Sequence, residues 1–247
     1  EVIRGPGSAL YGADAFSGVI NIVTKNAQEI NGTEVGARIG SFDTKEAWLL
    51  HGSEHNGLNF AFMLEAKSTD GHSEKIDSDL QTLSDQALST SASLAPAATT
   101  NGRDNLDARL EIAKQHWQFR AGLQRRRNAE IGFGVGSALD THAEYESDRW
   151  NADLTYHNPE FATEWDMQAQ VSFLNTSAQV SEDVFVLPPG AVFMEQVFPD
   201  GVIGNAEVWE RHWRMNLTAL YSGIDHHTFR IGGGYNYCLF IHISEPT

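Results

Sequence analysis

Cysteine is almost missing: Cys238 is the one thiol in 247 residues. That excludes an internal disulfide framework and any cysteine-built zinc site. Basic residues are scarce as well. Seventeen Lys and Arg stand against 33 Asp and Glu, for a formal charge of −16. A nucleic-acid-binding surface needs the opposite balance, so nucleic acid is excluded as a partner. No apolar run approaches the roughly eighteen residues of a spanning helix. No Gly-Lys-Ser/Thr follows the Gly5-Pro6-Gly7-Ser8 stretch, and no Gly-x-Ser-x-Gly elbow occurs, which removes the P-loop and hydrolase readings. Ten His residues invite a metal, but none has helical His-x₃-His spacing, and His226 and His227 would face opposite ways on a strand. No intrinsic metal site or cofactor is expected, and no enzyme. No signal peptide is present, and Glu1 opens inside a strand-like run, which reads as a start within a longer polypeptide.

What is present begins with residues 1–25, EVIRGPGSALYGADAFSGVINIVTK. Two β-type runs, Val2–Ile3 and Val19–Val23, bracket a stretch dense in Gly, Ala and Ser. Pro6 fixes its own φ and biases Gly5 away from helix. The order Ile-Arg-Gly-Pro (3–6), Leu-Tyr-Gly (10–12) and Gly-Val-Ile-Asn-Ile-Val-Thr-Lys (18–25) resembles the end of the plug domain of TonB-dependent outer-membrane receptors. Three elements agree over one unbroken stretch.

Beyond a polar stretch at 26–32 with an Asn-Gly turn signal, the chain alternates. Leu58, Phe60, Phe62, Leu64 and Ala66 share one face, with Asn59, Glu65 and Lys67 on the other. Trp165, Met167, Ala169, Val171 and Phe173 stand opposite Asp166, Gln168, Gln170 and Ser172. Nine such segments occur, and only the second, with Trp48 and Leu50, blurs the pattern. Period two is the strand signature. Segments of about nine to eleven residues suit a tilted strand crossing a bilayer, where soluble strands run about five or six. Connections alternate short and long: 54–57, 114–116, 157–162 and 222–226 against 69–103, 127–144 and 177–207, with 41–44 the exception. Outer-membrane barrels sort their loops in this way. The fold expected is all-β: a partial transmembrane antiparallel β-barrel of about nine strands, preceded by the end of a plug. The boundaries expected are plug 1–26, linker 27–32, barrel strands 33–237 and an atypical tail at 238–247.

Trp117, Trp165, Tyr156 and Tyr221 fall at strand ends beside short turns, where an interfacial girdle would stand. The resemblance implies that Arg4 docks the plug on barrel carboxylates, with Glu1 as its strand neighbour; Glu34, Glu46, Glu65 and Glu111 are the available lumen partners. The loop at 69–103 is rich in Ser, Thr, Ala and Asp and reads as a solvated, partly disordered loop. The loop at 177–207 carries Phe185, Phe193, Met194 and Phe198 with two adjacent prolines. Packing on other loops ranks first for these four, and ligand contact second.

The resemblance implies active uptake of a scarce ligand across the bacterial outer membrane. The ligand expected is a ferric siderophore, with cobalamin, haem or a glycan behind it. The partners implied are the TonB energy-transducing protein, reached through an N-terminal segment outside this chain, and outer-membrane lipid and lipopolysaccharide. A passive porin would explain the alternation and loop parity but not residues 1–25. A soluble β-sandwich adhesin or carbohydrate-binding protein would explain alternation and acidity but not loop parity.

Overall fold

The computed structural model describes residues 2–5, 17–20 and 23–246, with side chains to 242. Glu1 and the Leu-Tyr-Gly element lie outside them. Strand β1 (Val2–Arg4) pairs antiparallel with β2 (Gly18–Ile20), Ile3 opposite Val19, so the first and third sequence elements meet as a small hairpin sheet.

A one-turn helix, α1 (Ala27–Ile30), follows. Asn26 caps it: its side chain accepts from Gln28 N and Glu29 N, and Glu29 Oε2 accepts from Asn26 N at 2.9 Å. This reciprocal box satisfies donors that a helix start leaves orphaned. Asn31, at φ 43°, ends the turn in the left-handed region that Asn tolerates.

Among the described residues nine long strands then run antiparallel: β3 (Gly32–Gly40), β4 (Thr44–His55), β5 (Leu58–Thr69), β8 (Arg103–Lys114), β9 (Trp117–Glu130), β10 (Glu144–Ala162), β11 (Trp165–Glu182), β15 (Val202–Ile224) and β16 (His227–Pro246). All belong to one continuous sheet, with β3 and β16 as its open edges. Short elements lie in the long loops: β6 (Lys75–Ile76), α2 (Leu80–Leu88), β7 (Ala97–Ala98), β12 (Phe185–Leu187), β13 (Ala191–Phe193) and β14 (Gln196–Phe198). No helix among the described residues is long and apolar enough to cross a membrane.

Register decides which side chains share a face. Leu110 lies opposite Phe62 and Ala121, Leu154 opposite Phe119 and Val171, and Val171 opposite Met215. That face is greasy from β5 to β16, yet no second sheet lies on it among the described residues. Ile39 is 86% exposed, and Leu154, Val171, Met215, Leu217 and Ile231 are also exposed. A sandwich would bury them against an opposing layer about 10 Å away. On β9 the band holds Trp117, Phe119, Ala121 and Leu123 before Arg125 begins the charges. On β11 it runs from Trp165 to Phe173 before Asn175, and on β15 from Tyr221 to Trp213 before Arg211. Five same-face residues span about 26 Å along a strand, close to the ~25 Å apolar band of a barrel once tilt is allowed.

The tail expected to depart from the pattern does not leave the sheet. β16 pairs with β15 without interruption from Tyr221↔Phe229 to Gly204↔Pro246. Leu239 and Ile241 stay on the face of Tyr237, and Cys238, Phe240 and His242 on the other. The apolar run at 239–241 misleads because Phe240 adds an inward aromatic between two outward aliphatics.

The blurred second segment also resolves. Trp48 lies opposite Gly36 on the polar face, where Gly36 has no side chain to obstruct the indole. Trp48 Nε1 donates to Glu34 at 3.3 Å, and the Arg38 guanidinium sits 5.9 Å from the ring centroid.

The loop at 69–103 is ordered rather than loose. Asp79 caps α2, and its Oδ1 accepts from Thr82 N, Thr82 Oγ1 and Ser93 Oγ, each at 2.7 Å. Its Oδ2 accepts from Leu139 N, also at 2.7 Å, which ties this loop to the next. Asp140 Oδ2 in turn accepts from Phe185 N at 3.2 Å, which ties that loop to the third. Leu139, Ala143, Val184 and Ala191 are buried where the three meet. Burial alone would raise the Asp79 pKa, but the donors from Leu139, Thr82 and Ser93 outweigh it and hold the carboxyl below its ordinary value. A depressed folded-state pKa stabilises above the ordinary carboxylate value, about 3.9, and the contribution is lost as pH falls through the lower value. Replacing Asp79 by Ala should therefore loosen the loops at neutral pH by roughly 1–3 kcal/mol. Limited proteolysis of residues 70–102 should accelerate in D79A at pH 7, and unchanged cleavage would contradict this bracing.

Candidate functional site

The polar face of the sheet is concave. It bounds a space of about 1010 Å³ lined from β4 round to β16, with Thr24, Lys25 and Ile30 at its margin. Its wall carries Arg109, Glu111, Arg120, Arg149, Asp153 and Arg214. Arg120 Nη2 meets Asp153 Oδ1 at 2.7 Å, and Arg126 Nη1 meets Asp107 Oδ2 at 3.0 Å. These pairs sit in a wet hollow, so each contributes little to stability but makes the wall hydrophilic.

The linker reaches this same side. Helix α1 rests on β4 at Gly52, where an added Cβ would come within 2.5 Å of Ala27 O and 2.6 Å of Ile30 Cβ. Gln28 Nε2 donates to Glu54 Oε2 at 2.9 Å. Gly52 is the residue that lets helix and strand approach so closely, and Ala27 is buried there. The opening segment is thereby led to the polar, concave face and not to the greasy one.

Glu34, Glu46, Glu65 and Glu111 all lie on that concave face by register. Glu46 is held by Arg38, with Nη2 to Oε1 at 2.6 Å. Arg4 lies opposite Gly18 in the small hairpin, and among the described residues it makes no ion pair with these four. Glu1 falls outside the described residues.

The four girdle candidates meet in two cross-strand pairs on the apolar face. Trp117 packs at a tilt against Tyr156, 5.0 Å between ring centroids, and Trp165 against Tyr221 at 4.9 Å, both beside short turns. A second aromatic cluster was not singled out in the sequence. Phe173 stands 4.8 Å from Trp150 and 4.4 Å from Trp213, centroid to centroid, on the same face near the long loops. Just beyond it the outward side chains turn ionic, with Asp148 between Arg125 at 2.8 Å and Arg127 at 2.6 Å. The signal was available: Trp150, Phe173 and Trp213 each close an apolar run next to a charged or amide residue.

The apolar loop residues divide. Phe185 is half-buried in β12, its N–H bonded to Asp140 and its carbonyl to Val135 N at 2.9 Å. Phe193 and Met194 project from the β13–β14 hairpin, Met194 being 85% exposed at its tip, and Phe198 is half-buried at its return. Packing thus accounts for Phe185, whereas Phe193 and Met194 face outward.

Comparison with known proteins finds relatives for part of the chain. Over 47 residues, 19% of the chain, it is 51% identical to the vitamin B12 transporter BtuB of Vibrio vulnificus strain CMCP6. Over 69 residues, 27% of the chain, it is 39% identical to the vitamin B12 transporter BtuB of Vibrio cholerae O1 strain O395. Part of this chain is homologous to BtuB, a TonB-dependent outer-membrane receptor. The matched stretches span 8% and 11% of the length of those relatives. No family model matches the chain, and no solved structure matches it. The outer-membrane location read from the sequence accords with both the homology and the greasy outer band.

Because α1 and Gly52 touch so closely, Gly52→Val should displace the helix without unpairing β4. Cleavage by added protease at residues 23–31 should rise in the variant while the heat stability of the sheet is retained. Equal protection of that segment in both proteins would contradict the packing of α1 on the concave face.

Proposed function

We propose that this chain is the plug end and first barrel strands of a receptor that draws a corrinoid of the vitamin B12 class across the outer membrane, with TonB supplying the energy. The observation that carries the reading is the junction at Gly52, where the plug-like opening segment enters the polar side of a sheet whose other side is a membrane-height apolar band. A passive channel does not call for such a junction. The open edges at β3 and β16 are completed by further strands, since unpaired strand edges in hydrocarbon cost several kcal/mol per polar group.

The choice of ligand rests on the relatives, whose names specify vitamin B12. The sequence ranked a ferric siderophore first and cobalamin behind it with no residue pattern to choose between them, and the relatives' names move cobalamin ahead. In this proposal the interlocked loops form the outer rim, with Phe193 and Met194 as the exposed apolar contacts, and Arg4 docks the plug on the lumen carboxylates. No ligand bond is broken, so the role is transport and not catalysis.

Deletion of the gene should abolish uptake of labelled cyanocobalamin at nanomolar concentration and leave ferric-siderophore uptake intact. Retained cobalamin uptake with loss of an iron chelate would overturn the ligand assignment. Retention of both would overturn the transport reading.

A further inference from the structure

The concave wall carries one group of donors that neither docking nor the membrane band uses. Glu210 and His212 are two residues apart on β15, so both point to the polar face. Cys238 on β16 lies directly opposite His212 in the register. His212 Nε2 is 2.6 Å from Glu210 Oε1 and 3.5 Å from Cys238 Sγ. The carboxylate oxygen, imidazole nitrogen and thiol sulfur lie within 4.8 Å of one another. Glu210 makes no ion pair with Lys or Arg among the described residues, and nearby Arg214 is occupied by Asn236 Oδ1 at 3.0 Å.

We propose that Glu210, His212 and Cys238 form a binding site for a borderline-soft divalent metal ion of the zinc class on the lumen wall. Oxygen, nitrogen and sulfur are the three ligand types such ions accept together. Distances support the fit. Bonds of about 2.3 Å to sulfur and about 2.0–2.1 Å to nitrogen, held tetrahedrally, place those two atoms roughly 3.5 Å apart. That matches the Cys238–His212 separation. Nitrogen and oxygen ligands belong roughly 3.3 Å apart in the same geometry, so Glu210 needs to swing back by under about 1 Å from its hydrogen bond to His212. Glu210 is free to do so, its side chain being partly exposed to the hollow, and Cys238 is exposed there as well. Three protein ligands leave a fourth position facing the lumen, open to water or to a donor on the plug side.

The proposal departs from the expectation of no intrinsic metal site, which weighed a cysteine-built site and helical His spacing. A site with one thiol needs only one cysteine, and the β15–β16 register supplies the other two ligands from the facing strand. The inference does not depend on which nutrient the receptor carries.

Cobalt(II) is the probe, added to the detergent-solubilised, reduced and chelator-cleared protein. One equivalent should give a near-ultraviolet thiolate-to-cobalt charge-transfer band, which zinc then bleaches. Cys238→Ser should abolish the band, and His212→Ala and Glu210→Gln should weaken cobalt binding by roughly tenfold or more, the scale on which altered surroundings act at metal sites. Thr218→Ala, on the same face of β15 but away from the cluster, should leave it unchanged. Zinc should also protect Cys238 from maleimide in the wild-type protein and not in His212→Ala. Absence of the band in the wild-type protein would overturn the proposal. So would a band whose affinity His212→Ala and Glu210→Gln leave intact, since the ion would then sit on the thiol alone.

Discussion

Hydrocarbon offers a backbone amide no partner, and that constraint organises this molecule. Each long strand from β4 to β15 pairs with a neighbour on both sides in one antiparallel sheet, and β3 and β16 pair on one side only. With the backbone settled, side chains sort by parity. Aliphatic and aromatic residues face outward over a height close to that of a membrane core, and arginines, carboxylates and amides face the hollow. The chemistry of both faces follows from register, so a slip of one residue would exchange them along a whole strand.

The long loops solve the reverse problem. Outside the membrane their backbone can bond to water, so order must come from specific ties. Two aspartates supply these ties, Asp79 to Leu139 and Asp140 to Phe185. The result is a braced rim that holds the β13–β14 hairpin outward. At the other end of the sheet, tight turns such as Asn56–Gly57 and Asp225–His226 leave little room for such structure. The asymmetry between the two ends gives the sheet an inside-to-outside direction.

Much of this was legible in the sequence because barrel parity is a local property. Residues 58–66 and 165–173 show it by inspection, and nine segments of this kind are the nine long strands observed. The second segment was obscured because Trp48 uses an inward place that only Gly36 opposite makes available. The order in the loop at 69–103 was missed although Asp79 and Thr82 carry the spacing of a capping box; composition outweighed it, and the decisive bond goes to Leu139, sixty residues away. The Glu210–His212–Cys238 cluster was invisible for a similar reason, since Cys238 is twenty-six residues from His212 and only strand pairing joins them. The packing of α1 on Gly52 likewise depends on a contact that no local pattern announces.

The central claim, greasy outside and wet within, is tested most directly by two neighbouring cysteines on β11. In a Cys238→Ser background in native outer membrane, Val171→Cys should resist a membrane-impermeant maleimide, and a fluorophore introduced there should be quenched by lipid-borne quenchers. Ser172→Cys should label readily once the membrane is opened and should be insensitive to those quenchers. Equal labelling at both positions, or quenching at 172 rather than 171, would contradict the account.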